Sequence, residues 1–141
     1  MINQITVFLE NTEGRLAELC RSIASAEVNM LALTIADTSE YGVVRILCDK
    51  PEKALETLDA GGYRAIATQV VAVRVPNQPG GLANLLEALD KLGLNIEYGY
   101  CFSHQGENAV MALKVADSAA AAKAVWTLEG AGFKVLSQED L

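Results

Sequence analysis

Hydrophobic positions in this chain switch repeatedly between a period of two and a period near 3.6, and each switch marks an element. Ile5, Val7 and Leu9 alternate along one segment, as do Val71, Val73 and Val75, which predicts two strands. Leu16, Leu19, Cys20, Ile23 and Ala26 recur at helical spacing, and Leu82, Leu85, Leu86, Leu89 and Leu92 repeat that stripe. Each stripe is wide enough to cover a sheet. A hairpin is predicted after each helix. The first joins 29–36 to 42–48 through Asp37-Thr38-Ser39-Glu40; the second joins 95–102 to 108–115 through Ser103-His104-Gln105-Gly106-Glu107. A second helix follows in each half, over 51–59 with Pro51 in its first turn and over 118–129 with Asp117 or Ser118 as cap. Gly61-Gly62 and Gly132 end these helices, and short strands over 64–67 and 134–136 close the halves.

The halves are copies. An offset of 66 (77 − 11) sets Asn11, Gly14, Leu16, Ala17 and Leu19 on Asn77, Gly80, Leu82, Ala83 and Leu85. The same offset sets Asn29 on Asn95, Val44 on Val110 and Leu47 on Leu113. Later the offset becomes 70, with Ala54, Leu58 and Tyr63 on Ala124, Leu128 and Phe133, so about four residues enter the second copy after its third strand. Each half therefore reads βαββαβ, an α+β ferredoxin-like module whose antiparallel sheet carries both helices on one face. The modules are 1–68 and 69–141, and the boundary has no Gly/Ser linker. That predicts close side-by-side packing as an intramolecular pseudo-dimer.

Net charge narrows the partners. The chain carries −7, and its 11 basic residues are scattered rather than clustered, which argues against nucleic acid and against anionic membranes. No apolar run reaches the ~20 residues of a membrane span. The start, Met1-Ile2-Asn3-Gln4, lacks the pattern of a secretory signal, so a cytoplasmic location is expected. Cys20, Cys48 and Cys101 are odd in number and widely spaced, which predicts reduced core thiols and neither disulfides nor a metal site.

Catalytic patterns are missing. The single histidine, His104, falls in a predicted loop with no nucleophile motif beside it, and reads as a solvated loop residue. Pro79-Gly80-Gly81 lacks the Lys and Ser/Thr of a phosphate loop. No catalytic residue, metal or cofactor is therefore expected. The repeated Asn-x-x-Gly loop differs in kind, because it leads straight into a helix. A helix N-terminus offers unpaired N–H groups and partial positive charge, suited to a carboxylate. Asn supplies an acceptor and a donor, and Gly lets backbone approach a ligand. Together they suit the ammonium and carboxylate of an amino acid, although Asn and Gly are also ordinary turn residues.

These residues resemble the ACT domain. The match runs through Asn11-Thr-Glu-Gly14-Arg15-Leu16-Ala17 with Val28-Asn29-Met30, and through Asn77-Gln-Pro79-Gly80-Gly81-Leu82-Ala83 with Leu94-Asn95-Ile96. The second copy is closer, since the family favours Pro before the Gly, where the first copy has Glu13. The resemblance implies a non-catalytic regulatory protein that binds a free amino acid where two modules meet. One site would join Asn11 and Gly14, with Arg15 and Leu16, to Asn95. The other would join Asn77, Pro79, Gly80, Gly81 and Leu82 to Asn29. With no catalytic domain in this sequence, the sensor would act in trans on an enzyme or regulator of amino-acid metabolism. Two alternatives stay open: a module that docks an enzyme subunit without binding a small molecule, and a small enzyme on the same scaffold. Ile96, Tyr98, Tyr100 and Phe102 are expected to share one strand face, opposite in kind to the small Met30, Ala32, Thr34 and Ala36. There Tyr98 or Tyr100 lines a side-chain pocket, or the stripe packs the sheet face and covers a homodimer surface.

Overall fold

The computed structural model describes residues 1–36 and 40–141; Asp37, Thr38 and Ser39 of the first hairpin connection lie outside the described residues. The chain divides into two compact units, Asn3–Thr68 and Gln69–Leu141, the latter together with Met1–Ile2. The first holds β1 (Ile2–Glu10), α1 (Arg15–Ser25), β2 (Met30–Ala36), β3 (Tyr41–Cys48) and α2 (Pro51–Ala60). A strand β4 (Arg64–Pro76) follows, then α3 (Gly81–Asp90), β5 (Ile96–Gln105), β6 (Asn108–Val115), α4 (Ser118–Gly130) and β7 (Val135–Leu136). A short 3₁₀ turn at Gln138–Asp140 ends the chain, capped by Ser137 and Asp140 on each other.

Within the first unit β3 pairs antiparallel with both β1 and β2, with Val7 opposite Val44 and Leu33 opposite Ile46. Ile5, Val7 and Leu9 of β1 and Val44, Ile46 and Cys48 of β3 form one face, closed by Leu19 and Ile23 of α1 and Ala54 and Leu58 of α2. Both helices thus lie on the same side of the sheet. Each fully buried large aliphatic side chain contributes about 1.5–3 kcal/mol. The other face is partly polar: buried Gln4 donates to Thr6 Oγ1 at 2.9 Å, and Thr6 shares a 2.9 Å hydrogen bond with Thr68.

The second unit repeats the plan. β6 pairs antiparallel with β4 and β5, and β7 adds to β4. Val71, Val73, Val75, Leu113 and Val115 face Leu85, Leu89, Ala121, Ala124 and Leu128. Asp117 caps α4, its Oδ1 accepting from Ala120 N–H at 2.8 Å.

Four expectations are corrected. The strand at 64–67 does not stop there but runs on to Pro76, because no Gly or Pro interrupts it before that residue. The offset between β3 and β6 is 67, not 66: Val7 faces Val44 as Val73 faces Met111. Leu47 and Leu113 are therefore not equivalents, and Leu113 belongs to the core with Ile46 as its counterpart. One of the inserted residues thus precedes β6. It is absorbed by a bulge in β5 between Cys101 and Ser103, which the first unit's β2 lacks. Another bulge, between Ile96 and Tyr98, breaks the supposed one-face stripe. Ile96 packs on the helix-covered core, while Tyr98 and Tyr100 stand opposite Lys114 and Ala112 on the other face. A bulge adds one unpaired residue and so inverts the alternation beyond it. The same bulge between Met30 and Ala32 separates Met30 from Ala32, Thr34 and Ala36. Finally, only Cys48 is a buried thiol, pushed above its usual pKa by desolvation, whereas Cys20 is half-buried and Cys101 exposed.

The copies also differ at the exit of their first helix. Glu27 holds φ 57°, the left-handed region, where its equivalent Gly93 holds φ 66°. A side chain there is disfavoured by about 1–2 kcal/mol. The Lys50 ammonium donates to the Glu27 carbonyl at 2.8 Å, a bond to backbone that substitution at this position leaves in place. Glu27→Gly is expected to stabilise the protein by about 1 kcal/mol in urea unfolding, with no change in the slope of the transition.

Candidate functional site

The two Asn-x-x-Gly loops share one pattern of backbone hydrogen bonds. Asn11 N–H donates to the Glu40 carbonyl at 3.0 Å, and Asn77 N–H to that of Glu107 at 2.8 Å. Thr12 and Gln78 N–H turn back on Glu10 and Pro76, and Arg15 and Gly81 N–H close on Thr12 and Gln78. Gly14 (φ 83°) and Gly80 (φ 85°) then stand at the N-caps of α1 and α3 in left-handed conformation. Neither helix has a side-chain cap, and a Cβ built on either glycine meets nothing within 4 Å. The positive dipole end of each helix is thus left without a side-chain cap, with room at the glycine itself.

The loops differ in what surrounds them. In the second unit Asn77 Nδ2 lies 2.6 Å from His104 Nε2 and 3.3 Å from the Gly106 carbonyl. A carbonyl only accepts, so the Asn77 atom facing both partners is the NH₂ donor, and Nε2 of His104 is the bare, accepting nitrogen. Among the described residues the Asn77 Oδ1 has no hydrogen-bond partner. His104 is thus not a loop residue: β5 extends through it, opposite Ala109, and the connection shrinks to Gly106-Glu107. This is the site residue that sequence reasoning missed. The signal was the register of the hairpin, in which His104 stands opposite Ala109 of β6 and Asn108 of β6 stands opposite Pro76, so that His104 reaches across the start of β6 to the loop after β4.

At the next position Arg15 of the first unit is replaced by Gly81. Arg15 bonds Glu18 at 2.9 Å and lies over the Tyr63 ring at 5.1 Å, and hydrogen bonding to Glu18 raises its pKa. Among the described residues its buried Nε has no hydrogen-bond partner. The second unit has Gly81, Asn84 and Phe133 at these places, and there a cavity of about 440 Å³ opens. Arg74, Lys134 and Asn108 complete its walls. Gly81 is compulsory here, because a Cβ would stand 2.1 Å from the Pro76 carbonyl oxygen.

The remaining expected residues are placed as follows. Leu16 packs against the first core, and Leu82 is exposed beside Pro79 in the second loop. Asn29 and Asn95 sit beyond the C-terminal ends of α1 and α3, so neither meets the loop of its own unit. An 11-residue helix such as α1 separates them by roughly 16 Å. Asn29 N–H donates to Asp49 Oδ1 at 2.9 Å. Asn95 lines a second hollow of about 430 Å³ with Leu86, Asp90 and Leu94. Tyr98 is half-buried on the sheet face away from the helices.

Against this geometry of a duplicated βαββαβ module, the family model for the ACT domain pair matches residues 1–140. The chain belongs to the ACT domain pair family. This ACT pair is similar to a crystal structure of a protein from Bacteroides thetaiotaomicron, at 31% identity and TM-score 0.90, covering 99% of this chain and 94% of that one. It also resembles in fold the ligand-free regulatory subunit of aspartate kinase from Thermus thermophilus, at 18% identity and TM-score 0.67 over 92% and 91% of the chains. The corresponding subunit from Thermus flavus matches at 18% identity and TM-score 0.63, over 92% of each. No curated protein sequence matches the chain. No helix among the described residues is long and apolar enough to cross a membrane.

The two glycines of the second loop make a direct test of this geometry. Gly80→Ala is expected to cost about 1–2 kcal/mol through its positive φ alone, since its Cβ has room. Gly81→Ala, which drives a methyl into the Pro76 carbonyl, is expected to cost more, both read by urea unfolding.

Proposed function

We propose that this ACT pair binds a free amino acid at its Asn-x-x-Gly loops and passes occupancy in trans to an enzyme or regulator of amino-acid metabolism. The observation that carries this reading is Asn77: its NH₂ is taken by His104 and Gly106, and its Oδ1 is left over beside an uncapped helix start. The ligand ammonium is accepted by Oδ1. Its carboxylate lies against the first turn of α3, where the dipole favours an anion and Gly80 leaves space. Pro79, Gly81 and Leu82 shape that loop, and the neighbouring cavity with Arg74 and Lys134 has room for a polar side chain. In the first loop Asn11 and the uncapped Gly14 stand at the matching positions, with Arg15 and Leu16 following them. The regulatory subunits of aspartate kinase that share the fold support the amino-acid class.

A second reading has one observation in its favour. Trp126, on α4, is 79% exposed, and Leu82, Leu86 and Leu92 at α3 are also open to solvent. Such a helix face suits the docking of an enzyme subunit. Because Trp126 is the single tryptophan, its fluorescence reports docking separately from ligand binding.

The test is a thermal-shift survey of the twenty amino acids. A ligand at 100 times its Kd stabilises the fold by about 2.7 kcal/mol. Asn77→Ala is expected to weaken binding roughly 10- to 100-fold while circular dichroism stays unchanged, as loss of a charge-assisted hydrogen bond requires. A well-folded Asn77→Ala protein with unaltered affinity and stoichiometry would end the assignment of this loop.

A further inference from the structure

Asn side chains offer either end to a ligand, and a loop that binds ammonium works only if the amide is held one way round. In the second unit two acceptors converge on the Asn77 NH₂: His104 Nε2 at 2.6 Å and the Gly106 carbonyl at 3.3 Å. Flipping the amide would set Oδ1 against the Gly106 carbonyl, two acceptors face to face. The holding force at the nearer partner exists only while His104 Nε2 is unprotonated. An imidazolium carries N–H at both ring nitrogens and would face the amide NH₂ donor to donor. The charged groups on the surrounding elements are few. The loop 77–81 carries none, the β5–β6 turn has Glu107, β4 has Arg74, and Glu97 and Lys114 pair with each other at 3.7 Å at the far end of the hairpin.

We propose that His104 is the positioning residue of the Asn77 loop: neutral His104 holds the Asn77 oxygen toward the ligand, so the loop selects a protonated amine and loses it when His104 itself takes a proton. This rests on the reading that the Asn77 loop binds an amino acid. The consequence is a site whose affinity falls with acidity, as the imidazole that holds the amide gains a proton at Nε2. The dependence belongs to the second loop alone. His104 is the chain's single histidine, and the offset of β3 and β6 sets Asp37 at the matching sequence position of the first copy.

Two measurements test this on the full chain. In ligand-free protein labelled with [15N]histidine, the ring shifts at pH 8 are expected to show the proton on Nδ1 and Nε2 bare; a proton on Nε2 overturns the proposal. Calorimetry with each of the twenty amino acids at pH 8 and pH 5.5 then follows the binding event that Asn77→Ala removes. Wild type is expected to bind roughly tenfold or more weakly at pH 5.5. His104→Gln, whose carbonyl accepts from Asn77 without titrating, is expected to keep its affinity at both pH values, and His104→Ala to bind weakly at both. Circular dichroism on each variant separates these effects from unfolding. Binding that ignores both pH and the His104→Ala change overturns this proposal while leaving the amino-acid site standing. Absence of binding by wild type at either pH overturns the amino-acid reading itself, and the ring shifts still report on the His104–Asn77 bond.

Discussion

Everything at the candidate site depends on a glycine that enters a helix from the left-handed region. At Gly14 and Gly80 the chain leaves a strand end and must turn back over its own sheet within four residues. Positive φ near 85° makes the turn, and the absence of a Cβ keeps the space in front of the helix empty. A Ser, Thr or Asp in that place would cap the helix with its own oxygen and fill the position an anion needs. Both helices therefore start without a side-chain cap. The energetic loss is carried by the core beneath, where Leu19 and Ile23, or Leu85 and Leu89, anchor the same helices in fully buried positions.

The duplicated modules kept that turn and let its surroundings diverge. Arg15, Glu18 and Tyr63 form a connected group in the first copy, a bonded ion pair with its cation over an aromatic ring. The second copy has Gly81, Asn84 and Phe133 in their places, and the volume taken by the arginine side chain becomes part of a hollow edged by Arg74 and Lys134. Divergence in side-chain volume, with the backbone hydrogen bonds unchanged, is how two loops of one origin come to present different environments.

Much of the architecture was readable from spacing. Helical stripes such as Leu82, Leu85, Leu86 and Leu89 and alternations such as Val71, Val73 and Val75 place a face toward the core by geometry alone. Recurrence of Asn and Gly ahead of both helices marked the loops. What spacing misread were the bulges. One extra residue in a strand reverses every side chain after it, so Ile96 and Tyr98 fell on opposite faces, and the match of Leu47 with Leu113 slipped by one. Nothing local in the residues 96–103 announces which of them is left unpaired.

The order of elements, the duplication, the faces of the helices and the two glycine turns all follow from short-range periodicity and backbone sterics, and so are written in the residues directly. Folding in three dimensions was needed to place His104 in a strand and bring it to Asn77 across 27 positions, to settle which end of the Asn77 amide is taken, and to engage Arg15 with Glu18 and Tyr63. Those facts depend on hairpin register and on which side chains meet after folding. A contact between residues remote in sequence leaves no periodic trace in the chain that makes it.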